Sequence, residues 1–350
     1  MTVTGKYRRM KTMRRTALML CAPLMLALAA LPVGVTAQKK DSSTAKVAGA
    51  VNQPDRIWRD PGVMTSLDLR YGAGGKARAP DPRRAFTFVS EDPLATSPKF
   101  DVADGQGVEW KVKLGQESQS ETVATRFLWA AGYYADEDYY IAELTVKGLP
   151  TLRRGQEFVS EGGIVRGARL ERKRTTVTKL GDWDWFDNPF LGKRELNGLR
   201  VMMALLNNWD LKQVNNSIYV VDGQRHYVVS DAGATFGRTG DQLSRSKGDP
   251  GDYEDSTFIA KVTPDSVDFV LHSRPFFLSV FAVPNYLERT RMEQITKDIP
   301  RADARWLGRR LSMLTTNQIR DGFRAGGYGA GDAETLTKAM RQRIAALKAL

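Results

Sequence analysis

Residues 207–237, NNWDLKQVNNSIYVVDGQRHYVVSDAGATFG, constrain this chain more than any other stretch. The runs 217–221 and 227–229 are β-prone and flank Asp222-Gly223, a dipeptide that favours tight hairpin turns. Ahead of the hairpin lies the polar loop Asn208-Trp209-Asp210-Leu211-Lys212-Gln213-Val214-Asn215; behind it, Asp231-Ala232-Gly233 leaves the second strand directly. Residues 195–207 lead into the loop as a helix, with Leu196, Leu199, Met202, Met203 and Leu206 at helical spacing and one face in the core. The hairpin returns the chain so that Asn215 and Asp231 converge. Taken singly, Asp210 could cap a turn, Asn215 could favour a left-handed backbone, and Asp231 could start a turn. Together, their order is that of a phosphotransfer site. There one Asp handles the acceptor hydroxyl, while an Asn and a second Asp hold the metal on the nucleotide phosphates.

Asp210-Leu211-Lys212-x-x-Asn215, a hairpin and Asp231-x-Gly233 resemble the catalytic core of protein kinases, whose signatures are H-R-D-L-K-x-x-N and D-F-G. The longer D-A-G-A-T-F-G is similar to the D-N-G-x-x-F-G of atypical secretory-pathway and spore-coat kinases, with HipA-type and phosphoinositide kinases as more distant relatives. The resemblance implies an α+β, two-lobed protein-kinase-like fold with a β-rich N-lobe and a mainly helical C-lobe. It also implies ATP as nucleotide and magnesium, or manganese in its place, as metal. Asp210 would orient or deprotonate the acceptor, Lys212 would neutralise the transferred phosphoryl group, and Asn215 and Asp231 would hold the metal.

The first half of the chain reads as strands at 86–90, 99–102 and 108–114, the last two joined by Asp104-Gly105-Gln106-Gly107. Lys111 and Lys113 alternate with apolar neighbours and share one face. A helix over 118–131 follows, with Val123, Ala124, Phe127, Leu128 and Ala131 on its apolar side. Strand, lysine, then a helix carrying Glu is the kinase small-lobe order. The resemblance therefore gives Lys113 the nucleotide phosphates and Glu121 the task of holding it, with Lys111 and Glu117 as the alternatives. On the residues alone, Ser118-x-x-Glu121 is equally a capping box and Lys113 a solvated strand lysine. No G-x-G-x-x-G precedes the lysine strand, and residues 91–98 contain no glycine. A phosphate-covering loop would have to use Ala95, Thr96 and Ser97, with Thr96 and Ser97 as the nucleotide contacts.

Further strands are expected at 139–146 and 163–170. Arg166, Arg169, Arg172, Lys173 and Arg174 read as a solvated basic face, or alternatively as a surface for an anionic partner. The aromatic segment 182–190 is expected to pack between lobes, its three acids leaving room for a second metal contact. Residues 238–257 stand where a kinase has its activation or substrate loop, but equally suit an ordinary surface loop. From Arg274 onward the chain reads as mainly helical, with one helix over 301–314 and an amphipathic end over 334–350.

At the N-terminus a basic region up to Arg15 is followed by an apolar run over 16–31 and by Val35-Thr36-Ala37, the pattern of an export signal cleaved before Gln38. Residues 1–37 hold six cations and no acid, so without them the formal charge of +12 falls to +6. That favours anionic ligands without pointing to nucleic acid. Cys21, the one cysteine, lies in the signal, which leaves the mature chain without disulfides or cysteine-ligated zinc. His226 and His272 are the only histidines, stand in unrelated contexts and support no histidine metal cluster or Ser-His-Asp triad; His226 reads as structural. The domain reading is a signal at 1–37, a flexible linker at 38–56, an irregular wrap plus N-lobe at 57–180, and a C-lobe at 181–350. The functional expectation is a periplasmic or secreted ATP- and magnesium-dependent phosphotransferase acting on an unidentified hydroxyl acceptor, with no nucleic-acid partner and no stable membrane span. The alternatives are a kinase-like binding protein without turnover, and transfer of a nucleotidyl or other group.

Overall fold

The structure, a computed structural model, describes residues 54–92, 97–174, 177–239, 245–273, 280 and 282–350. The expected signal, most of the linker and Thr96 lie outside the described residues. In chain order come β1 (Asp55–Arg56), three short 3-10 turns between Met64 and Arg78, β2 (Phe86–Asp92), β3 (Lys99–Ala103) and β4 (Glu109–Lys113). Then follow α1 (Glu117–Ala131), β5 (Asp138–Lys147), β6 (Val159–Ser160), β7 (Ile164–Arg172) and β8 (Thr178–Gly181). The second half holds α2 (Arg194–Leu205), β9 (Asn216–Val221), β10 (Gln224–Val229), α3 (Pro250–Asp255), β11 (Ile259–Val262) and β12 (Ser266–Phe269). It ends with α4 (Val283–Glu293), β13 (Ile299–Pro300), α5 (Arg301–Leu311), α6 (Thr316–Ala325) and α7 (Ala330–Ala349).

The first sheet runs β4-β3-β2-β5-β7-β6, and β4 also pairs with β7, so five of its strands close into a small barrel. Alternation along the strands sorts its two faces. Phe100, Val102, Trp110, Val112 and Leu170 face inward into one apolar cluster. The register places Lys99 opposite Lys113 and Lys113 opposite Arg169, with Asp101, Lys111, Glu171 and Asp138 paired in the next row. Directly paired residues share a face, so the outer face of this sheet is a grid of charges. α1 packs across that face against β5 and β7.

This arrangement overturns the expectation of a solvated basic run. Arg169 is 2% exposed and lies 2.7 Å from Asp138. Arg174 pairs with Asp136 at 2.9 Å, Lys173 with Asp101 at 2.7 Å, and Arg172 stacks over the Trp110 ring. Arg166 alone of the five is exposed. The acids that meet these cations come from other strands, which a local run of charge does not reveal.

The apolar side of α1 (Val123, Phe127, Leu128) joins a second cluster with α2, α5, α6 and α7. Trp183 and Trp185 of the aromatic segment are buried there, and Trp183 Nε1 donates to the Val228 carbonyl. A sheet of order β1-β10-β9-β8 carries the hairpin. Asp222 and Gly223 have φ of +49° and +72°, the left-handed pair that a type I′ turn requires. The last two residues of the expected linker, Asp55–Arg56, instead pair in parallel with β10. A third sheet, β11-β12-β13, interrupts the helical second half. Among the described residues no helix is long and apolar enough to cross a membrane.

Candidate active site

Lys113 is the last residue of β4, and only Leu114, Gly115 and Gln116 separate it from α1. That tight connection lays the first turns of the helix across the strand end. Glu117 and Glu121, four residues apart, share a helix face and both reach the lysine. Lys113 Nζ lies 2.5 Å from Glu117 Oε2, 2.8 Å from Glu121 Oε2 and 3.4 Å from Asp231 Oδ1. The capping box is absent: Gln116 stands at the N-cap, and Ser118 Oγ donates to the Lys113 carbonyl at 2.8 Å. Lys113 is fully buried, so it is no solvated strand lysine. Burial opposes its charge, but Glu121, Asp231 and Glu117 outweigh burial and hold its pKa above the ordinary lysine value.

Around this centre the charges are crowded. Glu121, 2% exposed, is shared with Arg169 Nε at 3.3 Å. Burial pushes the Glu121 carboxyl up, against the pull of Arg169 and Lys113. Glu117 behaves oppositely: burial is offset by Lys113 and by Lys247, 2.6 Å from Oε1, and its carboxyl is held down at about 2. Ser97 Oγ donates to Glu117 Oε2 at 3.2 Å, so Ser97 stands at the edge of the same centre.

Asp231 arrives from β10. Its backbone N–H and that of Ser230 donate to the Asn215 carbonyl at 3.3 Å and 2.8 Å, and Asp231 Oδ1 accepts from Gly233 N–H at 3.3 Å. Ser120 Oγ donates to the Gly233 carbonyl at 2.7 Å, fastening α1 to this loop. Carboxylate oxygens of Glu117, Glu121 and Asp231 lie within 4.8 Å of one another. Glu121 already serves two cations from full burial, whereas the Asp231 side chain is 36% exposed. A hard, all-oxygen donor set with one open carboxylate fits magnesium or manganese.

The loop ahead of the hairpin is pinned from beneath. Asn207, at φ +55°, ends α2; its Nδ2 donates to the Gly237 carbonyl at 2.8 Å and its Oδ1 accepts from Arg343 at 2.7 Å. Beyond it, Asp210 N–H donates to Asn208 Oδ1 at 3.2 Å, and Asn215 Nδ2 donates to the Asp210 carbonyl at 2.7 Å. Asn215 thus joins the Asp210 loop to the Asp231 loop: its amide holds one and its carbonyl the other. Lys212 Nζ lies 2.8 Å from Asp210 Oδ1, and Arg289 Nη1 stands 4.0 Å from the same oxygen.

Several residues of this region escaped the sequence reading. Lys99, directly across from Lys113, is half-buried; burial and then the Lys113 charge hold its pKa below the ordinary value. Arg289 and Arg245 approach from later segments. Arg245 lies 4.1 Å from the centre of the Trp209 ring, and burial followed by Arg289 lowers its pKa to about 10. Only Lys99 had a readable signal, the hairpin register of β3 and β4. The expected second metal contact in the aromatic segment is not assembled: Asp182 pairs with Lys179 at 2.8 Å and Asp184 with Arg291 at 3.1 Å. Lys247, in the segment after Gly237, reaches across to α1 through Glu117.

No protein-family model and no curated protein matches the sequence. Among solved structures the chain is similar to the Helicobacter pylori proinflammatory kinase CtkA, at 12% identity and a TM-score of 0.41, over 77% of this chain and 97% of that one. It is also similar to the Golgi casein kinase, at 10% identity and a TM-score of 0.34, over 77% of this chain and 72% of that one. The same enzyme with Mn/ADP bound matches at 9% identity and a TM-score of 0.35 over the same shares. All three matches are distant.

Proposed function

We propose that the protein is an exported, two-lobed, kinase-like phosphotransferase that uses ATP with magnesium or manganese on a hydroxyl acceptor. The barrel with α1 serves as the N-lobe and the helical half as the C-lobe. The observation that carries this reading is the buried Lys113–Glu121 pair meeting Asp231 at 3.4 Å. Residues 118 positions apart in sequence converge there, and a lone structural lysine needs no such partner from a distant loop.

In this reading Lys113 binds nucleotide phosphates, and Glu121, itself held by Arg169, fixes the ammonium in place. Ser97, beside Glu117, would contact the phosphates, and Asp231 and the Asn215 side-chain oxygen would hold the metal. When bound, the metal nucleotide supplies an activated phosphoryl group and charge neutralisation. Asp210 orients the acceptor hydroxyl and takes up its proton, while Lys212, 2.8 Å from Asp210, supplies positive charge beside the transfer.

A second reading, a kinase-shaped binding protein without turnover, has one observation in its favour. The three donors of Lys113 already face Glu117, Glu121 and Asp231, so a phosphate must displace one of them. Nucleotide titration with and without magnesium, on wild type, Asp231→Ala and Asp210→Ala, separates the two. Asp231→Ala should abolish metal-dependent binding. Asp210→Ala should keep most of it and lose transfer by ~10²–10⁴-fold. Absence of nucleotide binding by the wild type would refute the phosphotransferase reading in favour of the second. Release of pyrophosphate in place of ADP would identify nucleotidyl transfer instead.

A further inference from the structure

Away from the active site, the N-terminal turns, α1, β5 and the end of α6 enclose a cavity of about 790 Å³. At its base is Arg126 of α1, 1% exposed. Its Nε is buried without a hydrogen-bond partner. The carboxylates whose charge reaches it make their contacts elsewhere: Asp138 Oδ1 with Arg169 at 2.7 Å, its Oδ2 buried without a hydrogen bond, Glu137 with Arg78 at 3.0 Å, and Asp68 with the backbone amides of Arg70 and Tyr71. No carboxylate among the described residues closes an ion pair with Arg126. The Tyr139 ring lies over it, 5.2 Å from the guanidinium carbon to the ring centre. A buried charge without a partner is costly, and a fold retains one where something outside the chain completes it.

The rest of the lining points to the same occupant. Arg70, Lys76 and Arg324 stand exposed among the lining residues, while Arg83 is engaged by Asp81 at 3.0 Å. Asp81 and Glu143 are the acids of the lining, so cations exceed carboxylates. A guanidinium presents a planar fork that matches phosphate oxygens in pairs. The volume exceeds what a bare phosphate fills, and the Tyr139 and Tyr140 side chains line it beside Arg126.

We propose that this cavity binds a phosphorylated small molecule, with its phosphate on Arg126, the mouth cations around it, and its organic body against the tyrosines. The site is separate from the Lys113 centre and does not depend on the function assigned there.

Thermal unfolding with inorganic phosphate, phenyl phosphate and chloride at matched ionic strength tests it. Both phosphates should raise Tm above chloride, phenyl phosphate binding the more tightly. Arg126→Met should weaken their affinity at least tenfold, yet melt at or above wild type in chloride because an unpaired buried charge is gone. An equal phosphate response in wild type and Arg126→Met overturns the site, as does a wild-type response no larger than that to chloride. Inorganic phosphate binding as tightly as phenyl phosphate overturns the organic half of the assignment. Should Arg126→Met fail to fold, the double variant Lys76→Gln/Arg324→Gln decides: unchanged affinity refutes the site, and a several-fold loss supports it.

Discussion

Arg169 lies among the buried charges under α1, and its removal should cost the fold heavily. It contacts three carboxylates: Asp138 at 2.7 Å, Glu121 at 3.3 Å and Glu171 at 3.3 Å. Arg169→Met keeps most of the side-chain volume and removes the charge, leaving Asp138 and Glu121 buried without their shared partner. Breaking a buried pair in this way costs ~3–5 kcal/mol, which for a chain this size lowers Tm by on the order of 10 °C. The loss should depend on pH, with a defined sign. Burial pushes the Asp138 carboxyl up even with Arg169 present. Without Arg169 it rises further, so the folded variant keeps a proton that the unfolded chain gives up near the ordinary value of 3.8. Stability of that kind is full below the unfolded pKa and is lost as pH rises through the folded one. The deficit of Arg169→Met against wild type should therefore be smallest in acid and grow as pH rises, read from urea unfolding curves. A deficit under about 1 kcal/mol, well below the buried-pair range, or one that does not change with pH, would refute the view that this arginine neutralises the network under α1.

Glu117→Gln carries the opposite sign. The wild-type carboxyl is held down at about 2 against an ordinary 4.5, so its contribution is present above pH 4.5 and lost as pH falls toward 2. The variant should be less stable than wild type at pH 7 by up to about 3 kcal/mol, with the gap closing in acid; a pH-independent gap would count against the Lys113–Glu117–Lys247 bridge. Export makes a simpler claim, motivated by the basic, apolar and small-residue order of residues 1–37. N-terminal sequencing of the protein from its own host should begin at or near Gln38, and retention of those residues would overturn it.

What the sequence made legible was local. Asp222-Gly223 announces its turn because few dipeptides tolerate two successive left-handed residues, and the hairpin forms there. The helix expected at 118–131 forms as Glu117–Ala131 because its apolar face repeats at helical spacing. Lys113 and Glu121 find each other across eight positions, a distance that strand, tight turn and first helical turns span by themselves. Closure of β4 onto β7 was not legible, since nothing in either strand names its partner. The basic run was misread for the same reason: Asp138 lies 31 positions from Arg169, and only the paired register brings them together. The three acids near Trp183 and Trp185 looked available for a metal, yet two of them meet Lys179 and Arg291.

The electrostatics of α1 tie these outcomes together. Two buried cations, Lys113 and Arg169, answer Glu117, Glu121, Asp231, Asp138 and Glu171, with Lys247 bracing Glu117 from outside. Lys99 and Lys111 stand opposite Lys113 and Glu171 in the same grid, so acids and cations balance, and Asp231 is the carboxylate most open to solvent. In the proposed function a divalent cation shared with nucleotide phosphates would meet that open carboxylate. Five residues beyond Glu121, Arg126 points roughly 140° away around the same helix, into a cavity where cations exceed acids. α1 therefore separates a centre of densely paired charges from a cavity where cations exceed acids. A helix serving only to cover a sheet could have been built with apolar residues on that face at lower desolvation cost. Under the proposed function, those buried ions would position Lys113 and the open Asp231 carboxylate for a metal nucleotide.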